Sequence, residues 1–297
     1  MTKQTRLIVT GLDSAYFDFG LDLIRSIAGA APAPERMGVL DLGLTPDERA
    51  RLQAMNITTV APGWDYPFMN DERAPRWFQA MTARPHLPRH FPGFATYVWI
   101  DADAWIQDWA PVQTLIEASE GGALAIVEER LVGIDAEIED ADGTRRRFAL
   151  DPAQATAQNE ADWRAVFGDP IADAIGRLPY FNCGVFALRG ESPAWSAWSR
   201  CLHDCLHRPF RKTAEQQALN ICIRRGEIAV APQDIAANFL FTNELPAYDE
   251  ARARFVVPED GRPIGVLHLC DLKRLRRIVF PRWGGGLGIR LSPRFRA

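Results

Sequence analysis

The spacing of apolar positions switches between strand-like and helical periods along the first sixty residues. Arg6-Leu-Ile-Val-Thr10 reads as a buried strand, with Gly11-Leu12-Asp13-Ser14 as the turn after it. Phe17, Leu21, Ile24 and Ile27 then recur at helical spacing, which predicts a helix from Ser14 or Ala15 to Ala30. Met37-Gly-Val-Leu-Asp-Leu42 is a second strand. Thr45-Pro46-Asp47-Glu48 combines an N-cap, a proline at the first helical position and a capping-box glutamate, opening a helix to about Met55. Ile57-Thr-Thr-Val60 follows as a third strand. Strands alternating with helices of this length predict an α/β protein with a mainly parallel, doubly wound sheet.

The alternation is interrupted between Pro62 and Pro92, where repeated prolines surround a short helix near Trp77 to Ala83. Tyr97-Val-Trp-Ile100 restores strand character, Asp108 is placed to cap a helix through Leu115 and Ile116, and Ala123–Val127 is a further strand. Between residues 128 and 178 the pattern weakens into charged runs, expected as an insertion or lid. Pro179–Leu188 is the next strand. Ser192-Pro193 opens a helix carrying Trp195, Trp198, Leu202 and Leu206, and Thr213-Ala-Glu215-Gln216 opens another, with Thr213 and Gln216 able to form a capping box. Short strands follow at Ile228–Val230 and Val266–His268. The expected organisation is one catalytic-type domain over residues 1–280 and a basic tail over 281–297.

Composition leaves this picture intact: 297 residues, 47% hydrophobic and 24% charged, describe an ordinary globular chain, with no apolar run long enough to span a membrane. The start runs into a strand and not into a secretory hydrophobic segment, so a cytoplasmic location is expected. Five cysteines without a Cys-x-x-Cys pair argue against a disulfide framework and for reduced thiols. Cys201, Cys205 and His203, His207 occupy helical faces roughly 200° apart, so one metal cannot take all four. The net charge of −4 disfavours nucleic acid, although every charged residue after Leu272 is basic. That tail would be solvated or would attract anionic lipid, giving peripheral contact at the inner face of a membrane.

Candidate chemistry concentrates where Tyr97-Val-Trp-Ile100 ends in Asp101-Ala102-Asp103. Ligands of parallel α/β sheets sit beyond the carboxyl ends of strands, and residues two apart in an extended chain point the same way. Two bare carboxylates about 5 Å apart repel by about 3 kcal/mol at an effective dielectric near 20, a cost that a divalent cation removes. The plain alternative is a helix cap beside a solvated acid.

The segment Tyr97-Val-Trp-Ile-Asp-Ala-Asp-Ala-Trp-Ile106 resembles the metal-binding strand of glycosyltransferase family 8, the glycogenin and lipopolysaccharide-galactosyltransferase family. Phe181-Asn182-Cys183-Gly184-Val185 resembles its Phe-Asn-x-Gly-Val segment, and Glu215-Gln216-Gln-Ala-Leu-Asn220 its Asp-Gln-x-x-Leu-Asn segment, with Glu215 in place of aspartate. Leu267-His268-Leu269 stands where the family has a metal histidine. Order and rough spacing agree from about Leu7 to Lys273.

The resemblance implies a GT-A fold and transfer of a hexose, with retention, from a UDP-sugar to a saccharide or glycolipid acceptor. It implies Mn2+ (or Mg2+) held by Asp101, Asp103 and His268, and catalytic roles at the donor sugar for Asn182, Gln216 and Glu215. Asp13 and Tyr16 would meet base and ribose, while Arg84, in competition with Arg89, and Lys273 would meet phosphate. The chain departs from the family after His268, where Asp271 and Lys273 stand three and five positions on instead of a glycine and lysine at three and six. A non-catalytic GT-A-like protein that binds a nucleotide-sugar or glycan is the rival reading. A nucleotidyltransferase would need an early glycine-rich phosphate loop that the sequence lacks.

Overall fold

The computed structural model describes residues 6–175 and 180–295. Residues 176–178 of the expected lid, Pro179 at the expected strand start, and residues 296–297 of the expected tail lie outside the described residues.

A seven-stranded sheet runs in the order Val230–Gln233, Leu124–Glu128, Phe181–Arg189, Thr96–Ile100, Arg6–Leu12, Met37–Asp41, Thr58–Val60. All neighbours are parallel except Phe181–Arg189, which is antiparallel to both of its partners. The strand Thr96–Ile100 is buried along its whole length, as the unbroken apolar run requires in a sheet covered on both faces. Tyr97 and Trp99 enter the core on one face, Val98 and Ile100 the core on the other. The helix Phe17–Ala30 covers the second face with Phe17, Leu21, Ile24 and Ile27. It begins two or three residues later than its apolar spacing suggested, because Ser14 and Ala15 belong to the turn. The helix Pro46–Ala54 carries the expected capping box between Thr45 and Glu48.

The weak-pattern stretch is a folded part of the body. Ile134–Glu139 and Arg145–Leu150 form a hairpin that joins Arg277–Phe280 and Ile289–Leu291 in a four-stranded sheet, with Ile138, Ile278 and Phe280 in its core. The helix Pro152–Phe167 then returns Trp163 and Phe167 to the main core. The segment from residue 281, expected as a basic tail, contributes the strand Ile289–Leu291 to this sheet. Its described arginines have partners, Arg282 with Glu250, Arg290 with Glu137 and Glu139, and Arg294 with Asp22, and just upstream Arg276 pairs with Glu139. No described helix is long and apolar enough to cross a membrane.

The expectation of free thiols is corrected at one pair. Cys201, on the helix Ala194–Leu206, and Cys222, on Ala214–Arg224, are joined in a disulfide, since the two helices pack side by side and bring together residues 21 apart in sequence. Cys183, Cys205 and Cys270 are free.

Candidate metal centre and adjoining cleft

Strand pairing assembles the site. Ile100 lies opposite Val185, so the end of the acid-bearing strand meets the start of the antiparallel one, and Asp101 N–H donates to Gly184 O at 2.7 Å. Just beyond, Ala104–Ile106 pairs antiparallel with Val266–His268, placing His268 opposite Ala104, and Leu269 N–H donates to Asp103 O at 3.0 Å. The imidazole is thereby carried to the two acids. Its Nε2 stands 3.6 Å from Asp101 Oδ2 and 3.4 Å from Asp103 Oδ1.

These three side chains can offer ligand atoms all within 4.8 Å of one another. Two carboxylates and one imidazole suit a divalent cation of the Mn2+ or Mg2+ class, whose ligands lie about 2.0–2.2 Å from the metal and hence roughly 3 Å from each other. Asp101 holds its other oxygen, Oδ1, against Trp99 Nε1 at 2.7 Å and the Arg84 guanidinium, which leaves Oδ2 for the centre. Burial alone would raise the Asp103 carboxyl, but His268 and Lys273 beside it hold it down to about 2. Burial likewise opposes charge on His268, yet Cys270 and Asp103 outweigh it and raise its pKa well above the usual value.

Beside the acids opens a cleft of about 350 Å3, lined by Asp13, Tyr16, Trp77, Arg84, Asp101 and Asp103 among others. Asp13 Oδ1 accepts the Tyr16 N–H at 3.0 Å, which braces the loop that carries both. Lys273 lies over the Tyr16 ring, 5.2 Å from its centroid, with Nζ 3.1 Å from Asp103 Oδ2. Arg84, rather than Arg89, belongs to the cleft, since Arg89 is exposed and pairs with Asp65. Arg84 is itself buried over Trp99, its fork divided between Asp101 and Glu215 Oε2, the latter at 2.9 Å. Its charge is therefore already committed to two carboxylates. Glu215, 2% exposed, faces Arg84 and not the cleft, and burial pushes its carboxyl up to about 7 against the pull of Arg84.

Gln216 does not close the capping box that its spacing from Thr213 suggested, for Thr213 makes no side-chain cap bond. The glutamine turns inward instead. Its Oε1 accepts the Cys183 N–H at 3.1 Å, and its Nε2 donates to Glu129 Oε1 at 3.0 Å. Asn220, at the end of the same motif, ties the helix to the strand by pairing with both N–H and C=O of Phe181. Asn182 donates to Glu129 Oε1 at 2.9 Å, while its Oδ1 accepts from Gly184 N–H and Asn238 Nδ2.

Two of these groups escaped the sequence reading. Glu129 follows directly on a buried strand, the same strand-end signal that singled out Asp101, and could have been found that way. Asn238 lies in an apolar stretch with no motif around it and carried no signal.

No protein-family profile matches the chain, and no curated protein matches its sequence. Solved structures do share its architecture. An active-site mutant of LgtC superimposes with a TM-score of 0.50 at 14% identity, covering 89% of this chain and 87% of that one. GlyE of Streptococcus pneumoniae TIGR4, a glycosyltransferase, gives 0.48 at 14% identity over 80% of this chain and 47% of its own. The bifunctional glycosyltransferase WbbM gives 0.49 at 14% identity over 80% of this chain, which spans 40% of the WbbM chain. The fold is the GT-A fold of glycosyltransferases, carried by the likeness to LgtC together with the mainly parallel seven-stranded sheet.

Proposed function

We propose that the chain is a metal-dependent glycosyltransferase that moves a hexose from a UDP-sugar to a saccharide or glycolipid acceptor. The observation that carries this reading is the convergence of Asp101, Asp103 and His268 beside a cleft of about 350 Å3. When bound, Mn2+ or Mg2+ would neutralise charge developing on the departing diphosphate. Asp13 accepts hydrogen bonds from ribose or base, and Tyr16 offers a ring face for the base. Lys273 lies between Tyr16 and Asp103 and contributes its charge to the diphosphate once Asp103 is otherwise engaged. Arg84 positions Asp101 by holding one of its oxygens. Asn182 and Gln216 line the donor-sugar side, the face on which retention would be decided. Glu215 holds Arg84, and through it Asp101, from behind the cleft.

The test is incubation of the purified protein with a panel of nucleotide-sugars and Mn2+, reading released nucleoside diphosphate and donor-dependent thermal stabilisation. Release with at least one UDP-sugar supports the proposal; silence in both readouts across the panel removes it. One observation favours a second reading, that of a non-catalytic nucleotide-sugar-binding protein: Lys273 already partners Asp103 and could serve as a built-in cation. Donor binding without metal dependence or release would select it.

A further inference from the structure

The polar groups behind the candidate metal centre form one directed chain. A carboxylate can only accept, so Glu129 Oε1 receives Asn182 Nδ2 at 2.9 Å and Gln216 Nε2 at 3.0 Å as donors. A backbone N–H can only donate, so Gly184 N–H at 2.8 Å requires the oxygen of Asn182 on its own side. The Asn182 amide is thus oriented from both ends. Its Oδ1 also receives Asn238 Nδ2 at 3.0 Å, and this commits the Asn238 oxygen to the opposite side, where it stands 3.0 Å from His268 Nδ1. An amide oxygen has no proton to give. His268 Nδ1 must therefore be the donor.

Resting on the metal-site reading above, we propose that Asn238 is a positioning residue that keeps the proton of His268 on Nδ1 and leaves Nε2 to face Asp101 and Asp103. Asn238 is fully buried, lies outside every motif of the sequence and touches the centre only through the imidazole. Metal-ligating histidines need their remaining ring nitrogen fixed by a hydrogen bond, and loss of such a partner commonly weakens metal affinity about 10–100-fold. The partner here is a neutral amide whose own orientation is set, through Asn182, by Glu129 and the Gly184 N–H. The chain also couples the donor-sugar amides to the metal histidine, because Asn182 belongs to both. Nδ1 keeps its proton whether or not Nε2 carries one.

Ring-15N-labelled histidine gives a readout independent of turnover. The wild-type protein should show a His268 Nδ1–H that is protected from solvent exchange, assigned by its disappearance in His268→Gln. It should persist when Mg2+ is added, while the Nε2 signal responds. Asn238→Ala should lose the protection and bind Mn2+, measured by electron paramagnetic resonance, about 10–100-fold more weakly. Asn238→Asp, which still accepts from Nδ1 although it no longer donates to Asn182 Oδ1, should retain the protection. If Asn238→Ala does not fold, the wild type and Asn238→Asp decide. An unprotonated Nδ1, loss of the Nδ1 proton on adding Mg2+, or unchanged protection in Asn238→Ala would each overturn the proposal. If neither Mg2+ nor Mn2+ alters the wild-type spectrum, the metal-site reading fails and the Nδ1–H result still decides the role of Asn238.

Discussion

Gly184 lies directly against the His268 ring: a Cβ at position 184 would stand 2.2 Å from His268 Cε1 and 2.8 Å from Asn182 Oδ1. Only a residue without a side chain lets the strand, the imidazole and the asparagine occupy the same space. The glycine of Phe-Asn-x-Gly-Val is here a requirement of close approach. Gly184→Ala must displace His268 or bend the strand, at a cost of about 1–3 kcal/mol typical of overpacking. A fall in thermal midpoint together with loss of Mn2+ binding by electron paramagnetic resonance is the expected outcome; an unchanged affinity would place the metal elsewhere.

Asp103 faces His268 Nε2 at 3.4 Å with one oxygen and Lys273 Nζ at 3.1 Å with the other, and its amide analogue has one acceptor oxygen and no charge. Asp103→Asn is expected to lower Mn2+-dependent nucleotide binding by at least about 100-fold, measured by calorimetry, with the far-ultraviolet dichroism unchanged. Retained binding would move the centre away from the strand end.

Arg84 serves two carboxylates with one planar fork, a geometry that an ammonium cannot reproduce. Arg84→Leu leaves Glu215 buried without its counter-ion, and the expected loss is about 3–5 kcal/mol in urea denaturation. Arg84→Lys should recover only part of it. Adding Glu215→Gln to Arg84→Leu should restore stability, since the uncompensated charge is then gone; no restoration would show that Asp101 carries the penalty.

The Cys201–Cys222 bond closes a loop across two helices, one of which presents Gln216. In the chain-entropy account a loop of 21 residues stabilises the fold by about 3 kcal/mol. Denaturation with and without reductant should show a loss of that order, and mass spectrometry after alkylation in denaturant without reductant should find three modified cysteines rather than five.

His86 packs edge-on against Tyr66 and faces Ser199 Oγ at 3.3 Å, and burial, with His90 as a second influence, pushes it down to about 4. The unfolded chain, with a histidine pKa near 6.5, binds the proton first. Stability contributed by neutral His86 is thus complete above about pH 6.5 and is lost as the pH falls toward 4. His86→Gln should flatten the pH dependence of the denaturation midpoint across that window; an unaltered slope would assign it to other groups.

Much of the candidate site was legible because it is local. An apolar run that stops at Asp101-Ala-Asp103 marks a strand end and an acidic pair together, and the helix spacing of Phe17 to Ile27 marks its buried face. Gln216 shows the limit. Its distance from Thr213 suits a capping box, but the helix docks against the strand of Asn182, and the Cys183 N–H and Glu129 compete for the glutamine more effectively. The basic residues near the C-terminus looked solvated because their acidic partners, Glu137, Glu139 and Asp22, lie far away in sequence.

The sequence by itself determined the alternation of strands and helices, the strand-end acids and the small residue at 184, since each depends on side-chain period or on groups a few residues apart. The family resemblance had already set His268 beside those acids, and strand pairing is what carries it there; the tertiary structure alone decided that Arg84 is spent between Asp101 and Glu215 and that Cys201 finds Cys222. It also enlisted Glu129 and Asn238. Which donor meets which acceptor depends on strand pairing between distant segments, and the hydrogen-bond capacity of a lone asparagine or glutamate acquires direction only when those segments close around it.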